Sequence, residues 1–258
     1  MKTLRFAPAA TAVLLCSLSS SAFAEDLPEE YVKRPQVVHE KMLQLRGDIG
    51  LPLNNGAAFW GTTVAPSVEY GVTNEFQLAL RHERSLCFSH CDVYNGFGVE
   101  GKYLFFHPEN FSLSAFAAPY INNFDPFMLQ ARLGVGFWIG ADKFAVNGNV
   151  QSGIGITNRG AGVGTVGNPD TIALNVQPAY NFTPQFVGFV DTGFNSQFDN
   201  FGKVWAIPLG VGALYTIDKK FDVGGDFKFP RLIAASGTGG ADFRQVDLFV
   251  RYRFDFTK

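Results

Sequence analysis

The stretch DLFVRYRFDF at positions 247–256 alternates almost without fault. Leu248, Val250, Tyr252, Phe254 and Phe256 fall on one parity, and Asp247, Arg251, Arg253 and Asp255 on the other, with Phe249 the single interruption. A period of two belongs to a β-strand whose faces meet different surroundings, here one apolar and one ionic. A chain built from such segments must give the first face somewhere dry and the second somewhere polar.

The N-terminus fixes the compartment. Lys2 and Arg5 precede an apolar run at 12–15, a serine-rich tract, and Ala22-Phe23-Ala24 before Glu25. This is the pattern of a secretory signal peptide over residues 1–24, which is set aside from the fold. Leu15 is too large for the small residue that precedes the cysteine of a lipoprotein cleavage box, so Cys16 carries no expected lipid anchor. Without Lys2 and Arg5, 19 basic residues stand against 23 acidic ones, which gives no reason to expect nucleic acid as a partner. No apolar run of about 18 residues follows, so no spanning helix is expected. Yet the chain holds 27 Phe and 28 Gly, and phenylalanine this abundant without long apolar runs must be spread by alternation.

A repeated unit does the spreading. YGVTNEF at 70–76, FFHPENF at 105–111, FWIGADKF at 137–144, YNFTPQF at 180–186 and YTIDKKF at 215–221 each place turn formers between aromatics. Recurrence at intervals of roughly 35 to 40 residues marks five hairpins of one architecture. Stepping outward by two from these aromatics, for example along Val135, Leu133 and Ala131 or Ala213, Val211 and Leu209, meets no charged residue. The opposite parity collects the charges. With an opening strand near 43–51 and the closing strand, the count is twelve.

Short turns at one end, longer loops at the other and an aromatic girdle describe a closed antiparallel transmembrane β-barrel, all-β, with both termini periplasmic. Tyr70, Phe76, Phe105, Phe111, Phe137, Phe144, Tyr180, Phe186, Tyr215, Phe221 and Phe256 make up the expected girdle, since aromatic rings favour the headgroup level. A soluble β-sandwich gives no reason for aromatics to gather at one set of turns. Residues 25–42 are expected to form a periplasmic N-terminal segment or a plug, and 43–258 the barrel. Pro66, Pro119, Pro178 and Pro208 fall within assigned strands, where bulges or strand ends are needed to absorb the missing donor.

The signal peptide, the alternation and the terminal VRYRFDF resemble integral outer-membrane proteins of Gram-negative bacteria, whose last strand ends in an aromatic read by the barrel-assembly machinery. Phe256 matches that aromatic, with Thr257 and Lys258 beyond it. The tract YGVTNEFQLAL also resembles hairpins of outer-membrane channel proteins associated with aromatic-compound degradation. The resemblance implies contact with outer-membrane lipid, the assembly machinery as a partner during biogenesis, and passage of small solutes.

The charged parity then faces the lumen. It comprises Arg46, Arg81, Lys102, Arg132, Lys228, Arg251 and Arg253 against Asp48, Glu69, Glu100, Asp191, Asp222, Asp226, Asp247 and Asp255. Such balance points away from a strongly selective charged ring and toward cross-strand pairs. Glycines on the same parity, such as Gly98, Gly134 and Gly212, either thin the wall or allow close packing.

Local motifs add little chemistry. Cys87 and Cys91, the two cysteines of the mature chain, read as a loop disulfide in an oxidising compartment. A metal reading with His90 and His82 is the alternative; no metal and no cofactor are expected. GVGTVG at 162–167 has no following helix and is loop, not a nucleotide site. His82 with Ser85 or Ser89 would be the only placement for a barrel hydrolase, and nothing orients such a pair, so the expectation is a non-enzyme. The leading reading is a passive, weakly selective channel for small solutes in the outer membrane. A structural or surface-interaction barrel with a blocked lumen, acting through its external loops, is the second reading, and the hydrolase the third.

Overall fold

In this computed structural model the described residues are 28–54, 57–82, 86–88, 94, 96–159, 167–235 and 239–256. The expected signal sequence, Ser85, Ser89, His90, Cys91 and most of the 162–167 motif lie outside them. The strands are β1 (Met42–Asn54), β2 (Ala57–Ala58), β3 (Thr63–Gly71), β4 (Phe76–Arg81), β5 (Leu86–Cys87), β6 (Gly98–Phe106) and β7 (Phe111–Phe124). They continue as β8 (Phe127–Ala141), β9 (Phe144–Gly155), β10 (Thr171–Asn181), β11 (Phe186–Gln197), β12 (Trp205–Ile217), β13 (Phe221–Ala234) and β14 (Gln245–Asp255).

The first strand closes the circle. β1 pairs antiparallel with β14, from Met42 opposite Asp255 to Pro52 opposite Gln245, and with β3, from Leu43 opposite Tyr70 to Gly50 opposite Thr63. β2 folds back on Leu53 and Asn54, and β5 pairs with Thr63 and Val64. Setting these two short returns aside, twelve strands follow one another round a closed antiparallel barrel. Closure leaves no unpaired edge, the condition for a sheet in hydrocarbon. The connections 72–75, 107–110, 142–143, 182–185 and 218–220 share one end, where Met42 and Asp255 also meet. At the other end connections are mostly longer, although Asp125 and Pro126 alone join β7 to β8.

Each of the four prolines sits where pairing lapses. The β3–β4 ladder starts at Ser67, so Pro66 faces no β4 residue and its carbonyl accepts from His82 Nδ1 at 3.0 Å. The β6–β7 register skips the stretch holding Pro119, and the β10–β11 register skips Gln177 and Pro178. Between Ile207 and Leu209 the β12–β13 register shifts, which leaves Pro208 on β12 and residues 230–232 on β13 out of the ladder. A residue without an N–H is tolerated where the ladder asks for none.

The outward rows are apolar and open. Leu248, Val250, Tyr252 and Phe254 are 39 to 48% exposed, and Leu133, Val135, Val99 and Val211 also stand on the outer face. Apolar area of this extent on a closed barrel requires lipid as its solvent. Val211→Arg, at the centre of β12, is therefore expected to cost about 2–4 kcal/mol of folding free energy in vesicles, measured by urea titration. A cost near zero would place that row outside the hydrocarbon.

Candidate functional site in the barrel lumen

Alternation sends one residue in two of each strand inward, and on half of the circle those residues form a continuous ionic ladder. Glu100 on β6 accepts from Arg81 Nη2 at 2.9 Å, and Arg81 Nη1 donates to Glu69 on β3 at 2.8 Å. Glu69 accepts from Gln44 Nε2 at 2.8 Å, Gln44 Oε1 accepts from Arg253 Nε at 2.9 Å, and Arg253 Nη2 reaches Asp222 at 2.5 Å. The chain of contacts crosses the β1–β14 seam, so charges far apart in sequence tie the closing strands together. Asp222, fully buried, also accepts from Arg251 Nη1 at 3.3 Å and from Thr216 Oγ1 at 2.9 Å. Higher on this wall Arg46 pairs with Asp48 two residues on, and Lys228 bridges Asp247 and Asp226.

The other half of the wall is mostly uncharged. Asn147, Asn149 and Gln151 on β9 face inward beside Asn175 and Gln177 on β10. Asn175 donates to Asn149 at 3.0 Å, and Gln177 to Asp191 at 2.8 Å. Arg132 lies over the Tyr120 ring at 3.7 Å and donates to Gln130 and Asn122. Between the two walls is a cavity of about 1170 Å³, lined among others by Arg46, Lys102, Asn149, Asn175, Asp191, Lys228 and Arg251. Asp255 occupies an inward position opposite Met42.

Four inward aromatics lie flat on glycines of the neighbouring strand. A Cβ on Gly134 would come within 2.3 Å of Phe116, and one on Gly98 within 2.1 Å of Tyr120. Gly212 stands in the same relation to Phe189, and Gly224 to Phe249. The missing side chain lets each ring rest on the wall instead of standing into the lumen. This accounts for Phe249, the interruption in the last strand: it is 7% exposed on the inner face, with the Arg46 guanidinium 4.7 Å from its centroid.

Residues 28–41 enter this space from the short-turn end. Val32 is 1% exposed and packs in a cluster with Ala145, Ala179, Val187, Phe189, Leu214 and Phe249. Arg34 Nη1 donates to both oxygens of Asp222 at 3.1 and 2.8 Å, and its Nη2 to Thr216 at 2.9 Å. Trp138 Nε1 donates to the Val32 carbonyl at 2.9 Å, Tyr31 to Gln177 at 3.0 Å, and Gln185 to Glu29 at 2.7 Å. Ser114 donates to Gln36, and the Val38 N–H to Gln77 at 2.7 Å. The segment thus touches strands on opposite sides of the barrel.

Sequence reasoning assigned the inner parity to polar groups and missed the apolar set around Val32. Their signal was available as small or aliphatic residues on the charged parity near the turns. Tyr70, Phe76, Phe105, Phe111, Phe144, Tyr180, Phe186, Tyr215 and Phe221 lie within two residues of strand ends at the short-turn end, and Phe256 just beyond β14. β8 runs on past Phe137 to Ala141, so Phe137 pairs with Gly148 and lies deeper than the others. Cys87 is buried in β5. Among the described residues no group of three His, Cys, Asp or Glu side chains is placed to hold a metal ion.

No protein-family model matches the chain, and no curated protein matches it in sequence. Its fold is similar to solved outer-membrane channels. An outer-membrane channel from Pseudomonas putida F1 superposes with a TM-score of 0.61 at 11% identity, over 84% of this chain and 97% of that one. The KdgM porin, solved in complex with disordered oligogalacturonate, gives 0.57 at 11% identity, over 82% and 99%. The CymD monoaromatic hydrocarbon channel gives 0.50 at 10% identity, over 86% and 90%.

Proposed function

We propose that this protein is a passive, weakly selective channel for small hydrophilic solutes in the bacterial outer membrane, narrowed at its short-turn end by residues 28–41. The observation that carries this reading is the cavity of about 1170 Å³ between an ionic wall and an amide wall. Barrels of similar fold include a porin solved with oligogalacturonate and a hydrocarbon channel, so the fold leaves the solute open and the lining decides it. Here the lining is polar and most of its charges are mutually paired, which suits hydrated solutes over hydrocarbons. The short-turn end is assigned to the periplasm, and Phe256 to recognition by the assembly machinery.

The pairing gives a test. Because most cations and anions of the wall neutralise one another, a tenfold potassium chloride gradient across a planar bilayer should give a reversal potential near zero. A potential close to the ideal value for one ion would contradict weak selectivity.

No catalytic role is assigned to His82, whose Nδ1 is engaged by the Pro66 carbonyl. A disulfide between Cys87 and Cys91 is kept as a loop staple. Iodoacetamide should label neither cysteine until the protein is reduced; labelling beforehand would remove the staple.

A further inference from the structure

We propose that the lumen is a peptide-binding site, and that residues 28–41 are its tethered ligand. The preferred ligand is a peptide with a small aliphatic side chain two residues before an arginine. The site exists apart from any conduction.

The contacts of the segment are those of a bound peptide rather than of a further strand. Its main chain is met by side chains of the wall: the Val32 N–H donates to Asn181 Oδ1 at 3.2 Å, the Val32 carbonyl accepts from Trp138, and the Val38 N–H donates to Gln77. Among the described residues its main chain pairs with main chain of the barrel at its end, where Glu40 and Lys41 meet Gly71 and the Lys41 carbonyl accepts from the Phe256 N–H. Main-chain partners give affinity for any chain, and side-chain pockets give sequence preference. Val32 and Arg34 fill two such pockets, while Lys33 between them and Pro35 after them stay exposed.

The arginine pocket does not need its occupant. Besides Arg34, Asp222 holds Arg253 at 2.5 Å, Arg251 at 3.3 Å and Thr216 at 2.9 Å, all three from the barrel wall itself. Three guanidiniums serve one carboxylate, so Arg34 is a third, removable partner. The wall therefore remains formed when the segment leaves, and presents the carboxylate and the apolar pocket to another chain of the same pattern.

The test uses the full mature chain in detergent, with nitrogen-15 indole resonances as readout. The chain has three tryptophans, so Trp138 is assigned by its loss in Trp138→Phe. Val32→Asp/Arg34→Ala should shift the Trp138 indole resonance as the segment leaves. A synthetic peptide of residues 28–41 should then restore it saturably, and the same peptide with Arg34→Ala should need about tenfold more or higher. If the double variant refolds poorly, Arg34→Ala alone supports the same comparison. An unmoved resonance, or restoration by a scrambled peptide at equal concentration, would overturn the site. A barrel that binds the peptide but passes no current would keep this inference and lose the channel, and the converse result would do the reverse.

Discussion

Asp222→Ala is expected to lower the folding free energy of the barrel by about 3–5 kcal/mol, the usual cost of removing one partner from a buried ion pair. The carboxylate is fully buried and takes hydrogen bonds from Arg34, Arg251, Arg253 and Thr216. Without it three guanidiniums, each largely buried in the wall of the lumen, face one another. The damage falls on β12, β14 and the N-terminal segment together, because Thr216, the pair Arg251 and Arg253, and Arg34 are the partners they supply. Urea unfolding in detergent reads the effect directly. Asp222→Asn keeps an acceptor of the same shape and should cost less than the alanine variant, though the charge is lost. A change below about 1 kcal/mol for the alanine variant would mean that water reaches this site and screens the arginines.

Deletion of residues 28–38 should raise single-channel conductance severalfold while leaving the barrel closed. Closure depends on β1, which begins at Met42 and pairs with both β14 and β3. The deleted residues contribute no partner to either ladder. They do fill the lumen, reaching Asp222 on β13, Ser114 on β7 and Gln77 on β4. Twelve strands stand between the small barrels filled by side chains and the wide ones that hold water, so one inserted segment changes the free cross-section by a large fraction. Unchanged conductance, with the deletion folded, would show that the narrowest point lies elsewhere.

Strand number, facing and closure were legible because each is written locally. The parity of Leu248 through Phe256 states which face is dry without reference to any other strand, and the turn formers in YGVTNEF or YNFTPQF mark a reversal within seven residues. The lumen was legible only in part. Glu69, Arg81 and Glu100 could be placed on the inner face from parity, yet their order in one ladder depends on the β3–β4 and β4–β6 registers, which no local spacing fixes. Ala145, Val187 and Leu214 sit on the charged parity without charge because Val32, more than a hundred residues away, covers them. Phe249 was visible as an exception, but its reason is shared between Gly224 on one neighbouring strand and Arg46 on the other. The prolines followed the same rule: their presence in strands was plain, and the gaps in pairing that admit them appear only once neighbours are known.

The most direct measurement is single-channel conductance of the refolded mature protein in a planar bilayer, beside the deletion of residues 28–38. A small, steady conductance from the whole chain that rises in the deletion is the result predicted for a polar passage narrowed by its own N-terminal segment. Silence from both proteins, each shown to be folded, would contradict the channel and leave the external loops as the working part of the molecule.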